Sequence, residues 1–160
     1  MDGKLRNMTS VYLTGEQGIL CLYRIGSRVV SDKYIGSAGG HFEPGELNDA
    51  RACALRELWE ELGLSEADVP DLTMRYITLR SMEGEIRQNY YFFGQLKKEP
   101  AQSSEGVLRW VPFEEVPGLS MPVSAKHMIL HYLNEGRFTD KLYCGVTEED
   151  STRFVDMKEF

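Results

Sequence analysis

Residues 48–63 constrain this chain more than any other stretch. Asn48 or Asp49 offers a side-chain cap, the residues after them are good helix formers, and Gly63 supplies a left-handed stop, so a helix is predicted to end at Leu62. Stepping about 100° per residue from Leu55, Leu58, Trp59 and Leu62 gather on one side. Glu57, Glu60 and Glu61 fall on the other. The apolar side needs a partner layer. The acidic side is costly alone, because Glu57 and Glu61 are like charges at i, i+4 and all three carboxylates sit where the helix dipole favours cations. Charge pattern by itself is satisfied by a solvated glutamate face. A hard cation such as Mg2+, which takes oxygen ligands together with a substrate's phosphates, is the alternative that removes the repulsion.

Strands surround that helix in sequence. Residues 9–13 and 19–24 flank the turn-like Gly15-Glu16-Gln17-Gly18 and read as a hairpin, and the Gly- and Ser-rich stretch 25–40 holds one short strand around Tyr34 and Ile35. Residues 72–80 and 86–96, rich in Tyr, Phe, Ile and Thr, form a second hairpin about Met82-Glu83-Gly84-Glu85, with 107–111 expected as its partner strand. Residues 123–133 have helical spacing, with Gly136 past their end. The tail 137–160 mixes aromatic and charged residues without a period and receives no assignment. No repeat or linker divides the 160 residues. The expectation is a single domain over 1–160 of the α/β class, a central mixed β-sheet with helices on both sides.

Composition narrows the partners. No apolar run of about 18 residues occurs, and residues 1–10 carry Asp2, Lys4 and Arg6 instead of a signal-peptide core, so a soluble, cytoplasmic protein without a membrane partner is expected. Cys21, Cys53 and Cys144 show no paired spacing and read as reduced, mostly buried thiols. A net charge of -7 argues against a nucleic-acid polymer and means that a polyanionic ligand needs a local cation.

Before the helix stands Gly39-Gly40-His41-Phe42-Glu43-Pro44-Gly45-Glu46, and its later turns read Arg56-Glu57-Leu58-Trp59-Glu60-Glu61-Leu62-Gly63-Leu64. Together these closely resemble the Nudix box, G-x5-E-x7-R-E-U-x-E-E-x-G-U, where U is a bulky aliphatic residue. Gly40 and Glu46 match the leading glycine and glutamate, and the second half matches without a gap. The spacing departs once: nine residues, 47–55, separate Glu46 from Arg56 where the pattern has seven, which implies a two-residue insertion in the loop or first helical turn. The segment Arg109-Trp110-Val111-Pro112-Phe113-Glu114-Glu115-Val116 and the strand order are also similar to the family.

The resemblance implies a Nudix-like α/β/α sandwich and a Mg2+-dependent hydrolase, with Mn2+ as a substitute, acting on a diphosphate linkage in a small nucleotide-like substrate. It implies a main-chain oxygen at Gly40 with Glu57, Glu60 and Glu61 as metal ligands, and an ion pair between Glu46 and Arg56 as the brace of the motif. The proton acceptor is either a box glutamate or a later carboxylate, for which Glu105 is the stronger candidate and Glu99 the weaker. A surface loop role fits Glu105 equally well.

Substrate recognition falls outside the box. Arg87, Asn89, Tyr91 and Phe93 alternate on one side of a predicted strand, and Arg24, Arg28 and Lys33 precede the box as candidate phosphate contacts. Tyr90 and Phe92 present the opposite side, so the substrate-facing side stays open, and ordinary sheet packing fits both. His41 fits a phosphate contact or loop filling, and His127 with His131, lacking a third ligand, read as helix surface and packing.

The leading activity is a nucleoside triphosphate pyrophosphatase, oxidised guanine nucleotides included; the alternatives are nucleotide-sugar, ADP-ribose or dinucleotide hydrolysis. An isoprenoid diphosphate isomerase needs a catalytic cysteine that Cys53 does not match. A non-catalytic nucleotide-binding regulator usually lacks box carboxylates, which are all retained here. A homodimer, common among soluble oligomers, is left open.

Overall fold

The computed structural model describes residues 3–26 and 32–158; Arg28 lies outside them. Eight strands form one sheet: β1 (Lys4–Gly15), β2 (Gly18–Arg24), β3 (Lys33–Ile35), β4 (Thr73–Met82), β5 (Glu85–Gln95), β6 (Gly106–Val111), β7 (Leu142–Glu148) and β8 (Ser151–Met157). Their order is β3-β2-β1-β5-β4-β7-β8, with β6 on the far edge of β2. The sheet is mixed, since β1 runs parallel to β5 and β4 parallel to β7 while the remaining pairs are antiparallel.

Alternation along the strands builds a layer on each face. On one face Val11, Leu13, Leu20 and Phe92 pack against Ala54, Leu58 and Leu62 of α1 (Ala50–Leu62). On the other, Tyr12, Tyr91, Phe93 and Tyr143 pack against Met128, Ile129 and Tyr132 of α2 (Val123–Asn134). The sandwich with a central mixed sheet is therefore the observed architecture. Among the described residues, no helix is long and apolar enough to cross a membrane.

Three expectations are corrected. Residues 107–111 do not join the second hairpin: β6 pairs with β2 from Ile19↔Val111 to Arg24↔Gly106. The outer edges of that hairpin are already taken, β5 by β1 along Lys4↔Glu85 to Thr14↔Gln95 and β4 by β7. The tail, left unassigned, forms the β7–β8 hairpin around Glu149, whose φ is 50°. Its alternation is real, with Tyr143, Gly145 and Thr147 facing inward, but two of those three are not hydrophobic and leave no hydropathy signal. Finally, Trp59 is 64% exposed, whereas Glu57 is 8% exposed. The buried stripe runs through Ala54, Leu58 and Leu62 at i, i+4, i+8, so Cys53, Glu57 and Glu61 form the row beside it and turn towards the glycine loop.

Both ends of α1 are closed locally. The Asp49 carboxylate accepts the Ala52 N–H at 3.0 Å, and Gly63, with φ 65°, lets its own N–H reach the Trp59 carbonyl while the Leu64 N–H reaches that of Leu58. The turn ahead of the helix is exposed, with Leu47 at 64%.

Arg56 ties this turn to the helix. Its guanidinium donates in a fork to Glu46, Nε to Oε1 at 2.8 Å and Nη2 to Oε2 at 3.1 Å, and Nη2 also donates to the His41 carbonyl at 3.0 Å. Nη1 donates to Glu57 at 2.8 Å and to Glu60 at 3.1 Å. These bonds hold the Glu46 carboxyl down at about 2. Arg56→Ala should cost about 3 kcal/mol, as for breaking a mostly buried pair, and lower Tm by about 6–12 °C. Arg56→Lys should recover less than half of that loss, because an ammonium cannot make the fork. Thermal unfolding followed by circular dichroism measures both, and wild-type Tm in Arg56→Ala would refute the brace.

Candidate functional site

A cavity of about 500 Å³ opens on the α2 side of the sheet. It exists because α2 covers only part of that face. Tyr12, Tyr76 and Tyr91 are sealed beneath the helix, but the next rungs, Met8–Asn89–Thr78 and Arg6–Arg87–Arg80, remain open. Gly39, Gly40, His41, Glu57 and Glu61 close one wall, Arg24 and Glu105 stand near them, and Val123, Ser124 and Ala125 of the first α2 turn close another.

The glycine loop lets α1 approach. A Cβ on Gly40 would stand 2.6 Å from Cδ of Glu57 and would push that carboxylate from its place. The Gly40 carbonyl accepts the Thr9 N–H at 2.8 Å, and the Gly39 N–H donates to Glu61 Oε2 at 3.2 Å. Carboxylates accumulate against this loop. Burial, and then the neighbouring Glu105 charge, push the Glu61 carboxyl up to about 7; burial also raises Glu57 despite its bond to Arg56. Glu105 accepts from Arg24 Nη2 at 3.0 Å.

Of the residues singled out in the sequence, Gly40, Glu57, Glu61, Glu105, Arg24, Arg87, Asn89 and Tyr91 line this one cavity. Tyr91 is only 1% exposed, so its ring belongs to the core. Glu60 does not line the cavity: its side chain is 53% exposed on the solvent side of Arg56. Glu46 and Arg56 stand behind the wall as its brace. Of the two strand faces, the one carrying Arg87, Asn89 and Tyr91 borders the cavity, whereas Phe92 is buried under α1 and Tyr90 stacks on Phe42 at 5.3 Å.

His41 is neutral in character, accepting from Arg6 Nε at 2.8 Å, with its pKa lowered by burial and by Arg6. His127 and His131 bond separately to Thr152 and Tyr76, each at 2.8 Å. Cys53 is buried 3.3 Å from Thr9 Oγ1, its thiol pushed up to about 11 mainly by burial.

Sequence reasoning missed Arg6, Ser10, Thr78, Arg80 and the start of α2 as lining residues. The readable signal was period two in β1 and β4, but it needed the strand register to acquire meaning.

Among the described residues, no three His, Cys, Asp or Glu side chains converge closely enough to hold a metal ion as they stand. The chemistry of the donors nonetheless fits a hard divalent cation: the buried Glu57 carboxylate, the partly buried Glu61, a third carboxylate nearby, and the Gly40 backbone oxygen. Each carboxylate is engaged by a donor of this chain, Glu57 by Arg56, Glu61 by Gly39 and Glu105 by Arg24. A cation would replace these partners.

Comparison with known proteins agrees with this geometry. A family model described as NUDIX domain matches residues 4–132. A mutator MutT protein from Bacillus halodurans is similar at 25% identity, covering 93% of this chain and 97% of that one, with a TM-score of 0.68. A MutT protein from Methanosarcina mazei shares 19% identity over 87% of this chain and 99% of its own, at a TM-score of 0.69. The dihydroneopterin triphosphate pyrophosphohydrolase of E. coli shares 16% identity over 84% of this chain and 99% of its own, at a TM-score of 0.60. With the family model matched over residues 4–132, most of the chain, this chain belongs to the Nudix family and is a Nudix-type hydrolase.

Proposed function

We propose that this chain hydrolyses a diphosphate linkage in a nucleotide-like substrate with Mg2+, or with Mn2+ in its place. The observation that carries this reading is the pair of carboxylates withdrawn from solvent, Glu57 buried and Glu61 partly so, set against the Gly39-Gly40 loop in a cavity that also holds arginines. Buried like charges are costly without a counter-charge, and a divalent ion shared with the substrate's phosphates relieves that cost. Nucleoside triphosphates, oxidised guanine nucleotides included, lead the candidate substrates. The structural likeness to MutT proteins and to a triphosphate pyrophosphohydrolase supports that order.

Mg2+ at this site supplies neutralisation of the phosphate charge and a water of lowered pKa. The rest is done by the chain. Glu57 and Glu61, with the Gly40 oxygen, would hold the ion, and Glu60, which lies outside the cavity, would join them only by turning from its bond to Arg56. Arg24 offers its forked donors to a phosphate oxygen, and Glu105 beside it takes the proton of the attacking water. The Arg56 brace keeps the carboxylates in place, so catalysis rests on positioning and charge rather than on a covalent step.

Glu57→Gln and Glu61→Gln should each lower kcat about 10²-fold or more, with Glu60→Gln losing less because its side chain lies outside the cavity. A panel of nucleoside triphosphates, nucleotide sugars and dinucleotides with Mg2+, scored for monophosphate, phosphate and diphosphate release, measures this. Full activity in the first two variants, or binding without release across the panel, would overturn the reading.

Glu61 also fixes a pH dependence. Its carboxyl releases its proton near 7 in the fold but near 4.5 when unperturbed. In metal-free protein its contribution to stability is therefore complete below about 4.5 and is lost as pH rises through about 7. A bound cation displaces the proton, so Mg2+ should raise Tm increasingly as pH goes from about 6 to 8. The difference between wild type and Glu61→Gln, with and without Mg2+, isolates this group; identical pH profiles would sink the assignment.

A further inference from the structure

The far end of the cavity carries a feature that cleaving a diphosphate does not require. Arg6, Arg87 and Arg80 occupy one rung across β1, β5 and β4, as the registers Arg6↔Arg87 and Arg80↔Arg87 show, and all three line the cavity. Neighbouring strands stand about 4.8 Å apart, so three guanidinium stems arise within about 10 Å. Like charges directly opposite each other destabilise a sheet, and a purely structural surface has no reason to keep three.

Their neutralisation is incomplete. Glu85 Oε2 is shared between Arg6 Nη1 at 3.3 Å and Arg87 Nε at 3.5 Å. Glu83 reaches Arg87 only at 3.8 Å from a side chain that is 76% exposed, where solvent screens it. Arg87 Nε is buried without a hydrogen bond, and Arg80 has neither a hydrogen bond nor an ion pair among the described residues. Three arginines against Glu85 leave a surplus near two positive charges. A phosphoryl group carries about -1.5 to -2 at neutral pH and offers three acceptor oxygens.

The surroundings agree. Thr147, the rung neighbour of Arg80, bonds to Ser124 Oγ at 3.0 Å, which brings the first turn of α2, with its unpaired N–H groups, to the same end. The aromatic rings at the cavity, Tyr12 and Tyr91, are each 1% exposed, so neither presents a free face for stacking a base. Arg6 lies three residues before Thr9, whose N–H holds the Gly40 carbonyl, about 10 Å along the strand. The row thus arises apart from the carboxylates and touches the glycine loop at His41, to which Arg6 Nε donates at 2.8 Å.

We propose that Arg6, Arg87 and Arg80 form a subsite for a second phosphoryl group, carried on the part of the substrate remote from the scissile diphosphate. This rests on the hydrolase reading for the orientation of the substrate, but the subsite itself can be tested without turnover. The probes are two pairs differing by one remote phosphate, NADPH with NADH and coenzyme A with 3′-dephospho-coenzyme A.

Calorimetric titration of metal-free protein should show the phosphorylated member binding about tenfold more tightly or better, the worth of a charge-assisted contact. The ratio should fall towards one in Arg80→Gln and in Arg6→Gln and be largely restored in Arg80→Lys; circular dichroism verifies that each variant folds. Equal affinities within both pairs in the wild type, or a preference that survives in both Gln variants, would overturn the subsite and favour recognition of uncharged groups by the arginines. Turnover with Mg2+ is scored separately. A binding preference with no hydrolysis of these compounds or of the nucleoside triphosphate panel would refute the hydrolase reading and leave the subsite standing, and hydrolysis without preference would do the reverse.

Discussion

The arrangement depends on one guanidinium. Arg56 is the point where the loop before α1, the carbonyl of the glycine turn and two helix carboxylates meet, and its fork with Glu46 supplies the directional part of that junction. Mostly buried charges hold only when paired with good geometry, and here the pairing crosses from loop to helix. The longer spacing between Glu46 and Arg56 does not prevent this junction, since both ends of the fork meet.

The sheet decides where chemistry is possible. Its two faces are treated unequally, α1 spanning the layer of Val11, Leu13 and Phe92, and α2 leaving part of the opposite layer uncovered. The uncovered rungs are polar, and the loop of Gly39 and Gly40 brings the helix carboxylates to their border. Acidic and cationic regions thus share one cavity without cancelling. Burial raises Glu61 and Glu57, while the arginines lie on strands some rungs away. Under the proposed reading, a substrate bearing several anionic groups and a divalent ion would be complementary to both regions at once.

The C-terminal hairpin lies past the matched domain residues and extends the sheet from β4. Tyr143 stacks on Tyr76 with ring centres 5.4 Å apart, so this added edge shares the aromatic core beneath α2. Thr147, from the same hairpin, reaches Ser124 at the start of α2 and so helps fix the helix end that borders the cavity.

Local sequence determined a good deal by itself. The caps and stop of α1, both hairpins around Gly15-Glu16-Gln17-Gly18 and Met82-Glu83-Gly84-Glu85, and the box spacing are contained in short segments, because capping, turn chemistry and side-chain period act within a few residues. Which strand β6 joins, that Trp59 faces water while Glu57 is buried, and that Glu60 stands apart from Glu57 and Glu61 were decided only by the tertiary structure. Those outcomes depend on which sheet edges are already occupied and on how the helix is rotated against its layer. The row of Arg6, Arg87 and Arg80 is the plainest case: residues 74 to 81 positions apart in part, ordinary one by one, become a cationic patch only through the register of β1, β5 and β4, a relation that no local stretch of chain encodes.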